Sequence, residues 1–281
     1  MKSFVERALV AALLASVSAC GSGSQSPSAP AALPTTGLSS SVGAPSTALT
    51  IFGAASLKGV LGRAKVAYAA VQPGTTLTIS TDSSAALETQ IEQGAPADLF
   101  LSADTTNPKR LVDKGLAAGD AVAFARNELT VIVPTANPAA IGTPADLASR
   151  GVKIIAAGHA VPITAYADRL VANLATEPGY PADFAAAVAA NIVSREDNVT
   201  SVLAKIELGE GDAGIVYITD ATGSRSVRSI AVPSGANVPA TYAGVVLKGS
   251  SDVAAARRFL EWLAGPAGQA VLSSAGFLPP A

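Results

Sequence analysis

The sequence of 281 residues contains one histidine, one cysteine and few charged residues, which make up only 14% of the chain. A single cysteine excludes an internal disulfide bond, and a single histidine excludes a metal site built on paired histidines. The formal net charge of -2 favours neither nucleic acid nor an anionic membrane surface as a partner. Hydrophobic residues nevertheless reach 49%, which is enough for a packed core and too many for a disordered protein.

Sequence motifs of common enzyme active sites are also missing. There is no Gly-x-Ser-x-Gly elbow, no phosphate-binding loop and no His-x-x-x-His pair. The one histidine, His159, falls in a loop between a predicted strand and a predicted helix, where a surface position is the simpler interpretation. The alternative is an anchored hydrolase or transferase that uses His159, but this needs a neighbouring acid or nucleophile and no motif supplies one. We therefore expect a protein that is not an enzyme.

The N-terminus carries a short apolar run that is typical of an export signal. The run from Ala8 to Ala19 follows Lys2 and Arg7 and is shorter than the roughly 20 residues that a membrane-spanning helix needs. It ends in Val17-Ser18-Ala19-Cys20, which resembles the lipobox of bacterial lipoproteins, where the cysteine is acylated. Residues 1–20 are thus predicted to be a lipoprotein signal peptide. The alternative is an ordinary cysteine behind a conventional signal.

Residues 21–47 are rich in Ser, Pro, Ala and Thr and show no hydrophobic periodicity. Such a segment buries too little apolar surface to offset the entropy of ordering it. We therefore predict a flexible tether between the lipid anchor and a folded domain.

From Leu49 onward, short apolar runs alternate with residues at helical spacing, as in strand 49–52 followed by the helical pattern 57–71. Asn107-Pro108 and Thr143-Pro144 are typical of helix starts. This alternation predicts an α/β fold with mostly parallel sheets flanked by helices. The folded part, about 230 residues, exceeds the commonest domain size. Two lobes are predicted, one from residues 48–130 and 234–281 and one from 131–233, with a ligand cleft between them.

Four turns place small or hydroxyl residues where a predicted strand leads into a predicted helix. Each turn leaves free backbone N–H groups at a helix start, with the positive end of the helix dipole behind them. One such turn is ordinary capping, whereas four around one cleft form a site for a compact dianion. In α/β sheets these turns lie beyond the carboxyl ends of the strands, where ligands bind. The turns are Gly53–Ser56, Asp82–Ala85, Val161–Thr164 and Asp197–Thr200.

Three segments of the sequence resemble the molybdate-binding proteins of ABC importers: Ile51–Leu57, Gln90–Asp104 and Gly214–Ala221. The resemblance covers nearly all of Leu49–Ala281 and is most specific in Gly-Ala-Pro-Ala-Asp-Leu-Phe-Leu-Ser-Ala-Asp. It implies a two-lobe periplasmic-binding-protein fold, type II-like, that binds molybdate between its lobes. Tungstate has nearly the same size and charge, so it is expected to bind as well, and sulfate is the alternative ligand.

The resemblance also implies the residues that bind the anion. Its hydroxyl ligands fall on Ser56, Ser84 and Tyr217, and its backbone N–H ligands fall on Ile163 and Val199. Molybdenum would be held only as the oxyanion, through these five residues, and no cofactor is implied. If the match between this sequence and the family is shifted by one residue, Ser83 takes the place of Ser84 as the hydroxyl ligand. Asp82 is a residue that does not fit an anion site, because a carboxylate that faced inward would repel a dianion or select a protonated anion.

The expected protein is therefore an extracytoplasmic solute-binding lipoprotein, anchored to the cell membrane by a lipid on Cys20. Its expected partners are molybdate and the permease and ATPase subunits of an ABC importer, and not nucleic acid. A monomer is expected.

Overall fold

The computed structural model describes residues 47–281, all of which belong to one compact unit. The predicted signal peptide, Cys20 and almost all of the predicted tether lie outside the described residues. Thr47, the last residue of the predicted tether, begins the first strand. Over residues 47–281, every helix is too short or too polar to cross a lipid bilayer.

Ten strands and nine α-helices alternate along most of this range. The strands are β1 (Thr47–Ala54), β2 (Thr75–Asp82), β3 (Leu99–Ser102), β4 (Val122–Asn127), β5 (Leu129–Pro134), β6 (Ile154–Ala157), β7 (Ile192–Glu196), β8 (Ala213–Tyr217), β9 (Val227–Ile230) and β10 (Ala240–Val246). The α-helices are α1 (Lys58–Val71), α2 (Ser84–Glu92), α3 (Thr106–Asp113), α4 (Pro162–Leu174), α5 (Phe184–Ala190), α6 (Val199–Glu207), α7 (Ile218–Thr222), α8 (Val253–Ala264) and α9 (Pro266–Ser274). Short 3-10 helices cover Ala55–Leu57 and Pro144–Ala148.

The strands form two five-stranded sheets, and each sheet is the centre of one lobe. Lobe 1, residues 47–127 and 240–281, has the strand order β2-β1-β3-β10-β4. Lobe 2, residues 129–230, has the order β7-β6-β8-β5-β9. The two orders are equivalent, with β6, β7 and β8 in the places of β1, β2 and β3. The predicted α/β fold with two lobes is confirmed.

Mostly parallel sheets were predicted, whereas the two sheets are mixed, with as many antiparallel as parallel strand pairs. Pairs β1–β2, β1–β3, β6–β7 and β6–β8 are parallel, and the four other pairs are antiparallel. A parallel neighbour needs a crossover connection, here a helix over one face of the sheet. Strands β4, β5, β9 and β10 flank the two crossings between the lobes instead, so they enter the sheets without such a crossover.

The chain passes between the lobes twice, at Glu128 and through residues 231–239. The predicted boundary at 130/131 therefore lies inside β5, because β5 already belongs to lobe 2. The boundary predicted at 233/234 lies within the second connection. The side-chain amide of Asn237 joins the two crossings: it accepts from the Leu129 N–H at 3.1 Å and donates to the Leu129 carbonyl at 2.9 Å.

The predicted start of α3 is two residues too late. Its N-cap is Thr105 rather than Asn107, and the helix begins at Thr106. The reason is Asp104, whose carboxylate accepts from the Asn107 backbone N–H at 3.0 Å and from the Asn107 side-chain amide at 2.8 Å. These bonds place Asn107 within the first turn.

Candidate functional site

Six loops converge between the lobes, three from each sheet. In lobe 1 they follow the parallel strands β1, β2 and β3, and in lobe 2 they follow the equivalent strands β6, β7 and β8. Because the carboxyl ends of parallel strands meet at one edge of a sheet, each lobe presents its three loops together. Gly53 lets the first helix approach β1, since a Cβ there would lie 2.5 Å from Leu61 Cδ1. The fold therefore builds the site from two matching halves.

The loops enclose one small pocket, the interlobe pocket, whose volume is about 10 Å³. This is room for little more than one water-sized sphere, so the pocket suits a compact ion rather than an organic molecule. All five residues implied by the sequence line it, and its walls carry no charged side chain. The lining residues are Ala54, Ala55, Ser56, Ser83, Ser84, Ala103, Val161, Pro162, Ile163, Asn198, Val199 and Tyr217.

The two predicted serine hydroxyls are buried, and each is hydrogen-bonded within the protein. Ser84 Oγ accepts from the Ala103 backbone N–H at 3.0 Å. Ser56 Oγ lies 2.9 Å from the hydroxyl of Tyr242, which is fully buried. A serine oxygen that accepts from the protein keeps its own proton for another acceptor. Ser83, the alternative to Ser84, also lines the pocket and is the N-cap of α2.

Tyr217 supplies a hydroxyl that is buried but unpaired. The residue is 1% exposed, and its oxygen has no hydrogen-bond partner among the residues that the structure describes. A buried polar group without a partner costs about 1–3 kcal/mol, so such a group in a pocket wall indicates a ligand that accepts its proton. Burial raises the pKa of Tyr217 well above its usual value, and the neighbouring Tyr242 raises it further. Tyr217 therefore stays protonated and is a donor.

The backbone supplies further donors at helix starts. Ile163 and Val199 are in the first turns of α4 and α6, where N–H groups have no acceptor within the helix. Asn198 caps α6 by accepting from the Ser201 N–H at 3.0 Å, which leaves the Val199 N–H for the pocket. The positive ends of the helix dipoles face the same space and favour a negative charge there.

Asp82 does not line the interlobe pocket. Its Oδ1 atom accepts from the Ser83 backbone N–H at 2.7 Å and from the Asn198 side-chain amide at 3.0 Å. Since Asp82 ends β2 in lobe 1 and Asn198 caps α6 in lobe 2, the second bond joins the lobes beside the pocket. The carboxylate thus contacts the opposite lobe instead of the pocket interior.

Sequence reasoning missed Tyr242 and Asn127, which lie behind Ser56. The Asn127 amide nitrogen donates to Thr219 Oγ1 at 2.8 Å and lies 3.5 Å from the Tyr242 hydroxyl. The available signal was a tyrosine inside the mostly apolar segment 240–246, because a buried tyrosine hydroxyl needs a polar partner. No residue close to Tyr242 in the sequence identifies that partner.

Asp220 is a second group near the pocket that the sequence did not single out. It follows β8 in α7, and one of its carboxylate oxygens is buried without a partner among residues 47–281. Burial raises the pKa of Asp220 from 3.8 to about 7, although a hydrogen bond with the Tyr217 backbone lowers it. Its charge in turn contributes to the raised pKa of both Tyr217 and Tyr242.

Other features of the described residues fit a binding site for an anion less well. His159 is exposed and does not line the pocket. Within residues 47–281, no group of three His, Cys, Asp or Glu side chains is placed to hold a metal ion. A larger cavity, about 200 Å³, lies in lobe 2 between β6, α4 and α5, but its walls are mostly aliphatic. The interlobe pocket combines burial with converging donors, an arrangement that binds an anion by hydrogen bonds.

Comparisons with known proteins agree with this geometry. Residues 49–278 match the model of a family described as bacterial extracellular solute-binding protein. The molybdate-binding protein ModA of Mycobacterium tuberculosis is 34% identical over 271 residues, covering 96% of this chain and 95% of ModA. ModA of Haemophilus influenzae is 31% identical, with 83% of this chain and 91% of the relative covered.

A solved structure shows the same fold. The periplasmic molybdate-binding protein of Azotobacter vinelandii is 25% identical and superposes with a TM-score of 0.70, covering 83% of this chain and all of the other. The two lobes, the pocket between them and these matches lead to one conclusion: the chain belongs to the family of bacterial extracellular solute-binding proteins.

Proposed function

We propose that this protein captures molybdate in the interlobe pocket and delivers it to the membrane permease of an ABC importer. The observation that carries the proposal is the buried, unpaired hydroxyl of Tyr217 in an uncharged wall of donors. A fully deprotonated tetrahedral oxyanion accepts at every oxygen and satisfies such a wall without a counter-cation. The relatives named for molybdate binding support the choice of anion.

Each of the five predicted residues has a role in this proposal. Ser56, Ser84 and Tyr217 donate their hydroxyl protons to the anion, and Ile163 and Val199 donate their backbone N–H groups. Molybdenum enters only as part of the oxyanion, and no cofactor takes part. Tungstate occupies the same site. The protein carries its ligand as a monomer and catalyses no reaction, and its partners are the permease and ATPase subunits of the importer.

Selectivity among tetrahedral anions tests the proposal. Molybdate and tungstate are expected to bind, and hydrogen phosphate more weakly by about 5- to 150-fold, because its proton meets no acceptor and an unsatisfied group costs about 1–3 kcal/mol. Sulfate is expected to bind more weakly than molybdate, because its shorter bonds leave rigid donors too far away. Competition calorimetry at pH 6 and pH 8 measures these differences.

The same titration distinguishes the alternatives. Sulfate binding more tightly than molybdate would identify a sulfate-binding protein with the same fold. Phosphate competing equally with molybdate would indicate an acceptor in the pocket wall and would remove the molybdate assignment. Asp82 is then the residue to replace first, since its carboxylate lies next to Ser83.

The proposed lipid anchor is tested at Cys20. One acyl chain binds membranes only marginally, whereas two or more anchor a protein stably. We expect the wild type to incorporate a lipid label and to fractionate with membranes. The variant Cys20→Ala should lose both properties and still bind molybdate. A wild type that takes up no lipid label, with a variant that stays in the membrane fraction, would contradict the anchor.

A further inference from the structure

The donor and the acceptor can be assigned in each hydrogen bond behind Ser56, starting with the side-chain amide of Asn127. The Glu128 backbone N–H donates to Asn127 Oδ1 at 3.0 Å. Because a backbone N–H only donates, this bond identifies the amide oxygen, and the other amide atom must be the nitrogen, a donor. That nitrogen faces Thr219 Oγ1 at 2.8 Å and the Tyr242 hydroxyl at 3.5 Å.

The donor at Asn127 also determines which atom donates in the hydrogen bond between Tyr242 and Ser56. Its hydroxyl lies between the Asn127 nitrogen, which only donates, and Ser56 Oγ at 2.9 Å. Its single proton therefore belongs to the bond with Ser56. Burial raises the pKa of Tyr242 well above its usual value, so the proton is present at neutral pH. The ring is held in place by edge contacts with Phe277 and Phe124, at centroid distances of 5.4 and 6.2 Å.

The consequence appears at the pocket wall. Since Ser56 Oγ accepts from Tyr242, the proton of Ser56 points away from Tyr242 and is available to a bound anion. We propose that Asn127 and Tyr242 are positioning residues that fix Ser56 as a donor, so that this wall accepts fully deprotonated tetrahedral oxyanions and rejects protonated ones such as hydrogen phosphate. The inference rests on the proposed anion-binding function and adds two residues that determine its specificity.

The variant Asn127→Asp reverses the direction of the chain of hydrogen bonds. A carboxylate oxygen in the place of the amide nitrogen accepts the Tyr242 proton, and Tyr242 then accepts from Ser56. Ser56 now offers a lone pair to the pocket. At pH 8 molybdate and hydrogen phosphate are both dianions, so the added charge repels them about equally. We expect the ratio of the phosphate Kd to the molybdate Kd to fall by about 5- to 150-fold.

The double variant Asn127→Asp with Tyr242→Phe is the matched control. It carries the same added charge but lacks the hydroxyl that links the new carboxylate to Ser56. Its selectivity ratio should stay within about 2-fold of that of Tyr242→Phe alone. An unchanged ratio in Asn127→Asp, or an equal fall in the double variant, would overturn the inference, because a general structural role of Asn127 does not depend on the Tyr242 hydroxyl.

A second measurement keeps the inference testable if Asn127→Asp does not fold. Tyr242→Phe and Ser56→Ala should weaken molybdate binding non-additively, because both act through one hydroxyl, and simple additivity within about 2-fold would overturn the inference. The wild-type titration separates the two proposals. A wild type that binds no molybdate contradicts the proposed function, whereas wild-type binding with additive effects contradicts only the role of Tyr242.

Discussion

Alanine at Ser56 or Ser84 is expected to weaken molybdate binding by about 10- to 150-fold, measured by calorimetry. Each hydroxyl donates to a charged acceptor, and a hydrogen bond to a charged group contributes about 1.5–3 kcal/mol, with 1.4 kcal/mol for each factor of ten. Binding should not vanish, because the N–H groups at the helix starts remain. Ser84→Ala should also lower stability by about 1–3 kcal/mol, since it leaves the Ala103 N–H without its acceptor.

Two further variants make this test specific to the pocket. Thr130→Val removes a buried hydroxyl that bonds to the Ile230 carbonyl at 3.1 Å, outside the pocket lining, and should leave affinity unchanged. Ser83→Ala distinguishes the two serines at the start of α2. A large loss at Ser83 with none at Ser84 would show that the register is shifted by one residue. Wild-type affinity in both Ser56→Ala and Ser84→Ala would show that the anion binds elsewhere.

Asp220→Asn is expected to stabilise the protein at pH 8 by up to about 4 kcal/mol. A folded-state pKa of about 7, against an ordinary value of 3.8, is a difference of about three pKa units, at about 1.4 kcal/mol each. Because the pKa is raised, the folded state binds the proton more tightly than the unfolded state does. The wild type therefore loses stability as pH rises from about 4 to about 7, and above pH 7 the full penalty remains.

Urea unfolding of both proteins from pH 4 to pH 8 measures this effect as a difference. The difference isolates Asp220 from Glu88, whose pKa is also raised, first by burial and then by its bond with Glu92. Asp98 affects stability at lower pH than Asp220 does, because its pKa is lowered. Burial raises the pKa of Asp98, but hydrogen bonds from Ser250, Thr50 and Ser251 outweigh this effect. The exposed Asp120→Asn serves as the control. A stability difference that does not change between pH 4 and pH 8 would show that Asp220 is not protonated in the folded protein.

Features that depend on neighbours in the chain could be predicted from the sequence. The helix starts predicted at Thr143-Pro144 and in the turn Asp197–Thr200 are both formed, with a capping box between Thr143 and Asp146 and with Asn198 as an N-cap. They could be predicted because a cap and the N–H it accepts are close in the sequence. The same locality explains why the turns at Ser56 and Ser84 were recognised: a helix start exposes its N–H groups whatever the rest of the fold does. The resemblance to a family then indicated which residue in each turn binds the anion.

The tertiary structure decided what these local signals could not. The partner of Ser56 is Tyr242, 186 residues later in the chain, and Asp82 meets Asn198 116 residues away, in the opposite lobe. The pKa of Asp220 depends on burial, which no neighbour in sequence determines. The antiparallel pairing of β4, β5, β9 and β10 follows from two chain crossings between the lobes. The sequence by itself thus determined the fold class and the donors at the helix starts, because these depend on local hydrogen bonds and periodicity. The direction of the Ser56 hydroxyl and the burial of Asp220 depend on contacts between distant segments, which form only when the lobes pack.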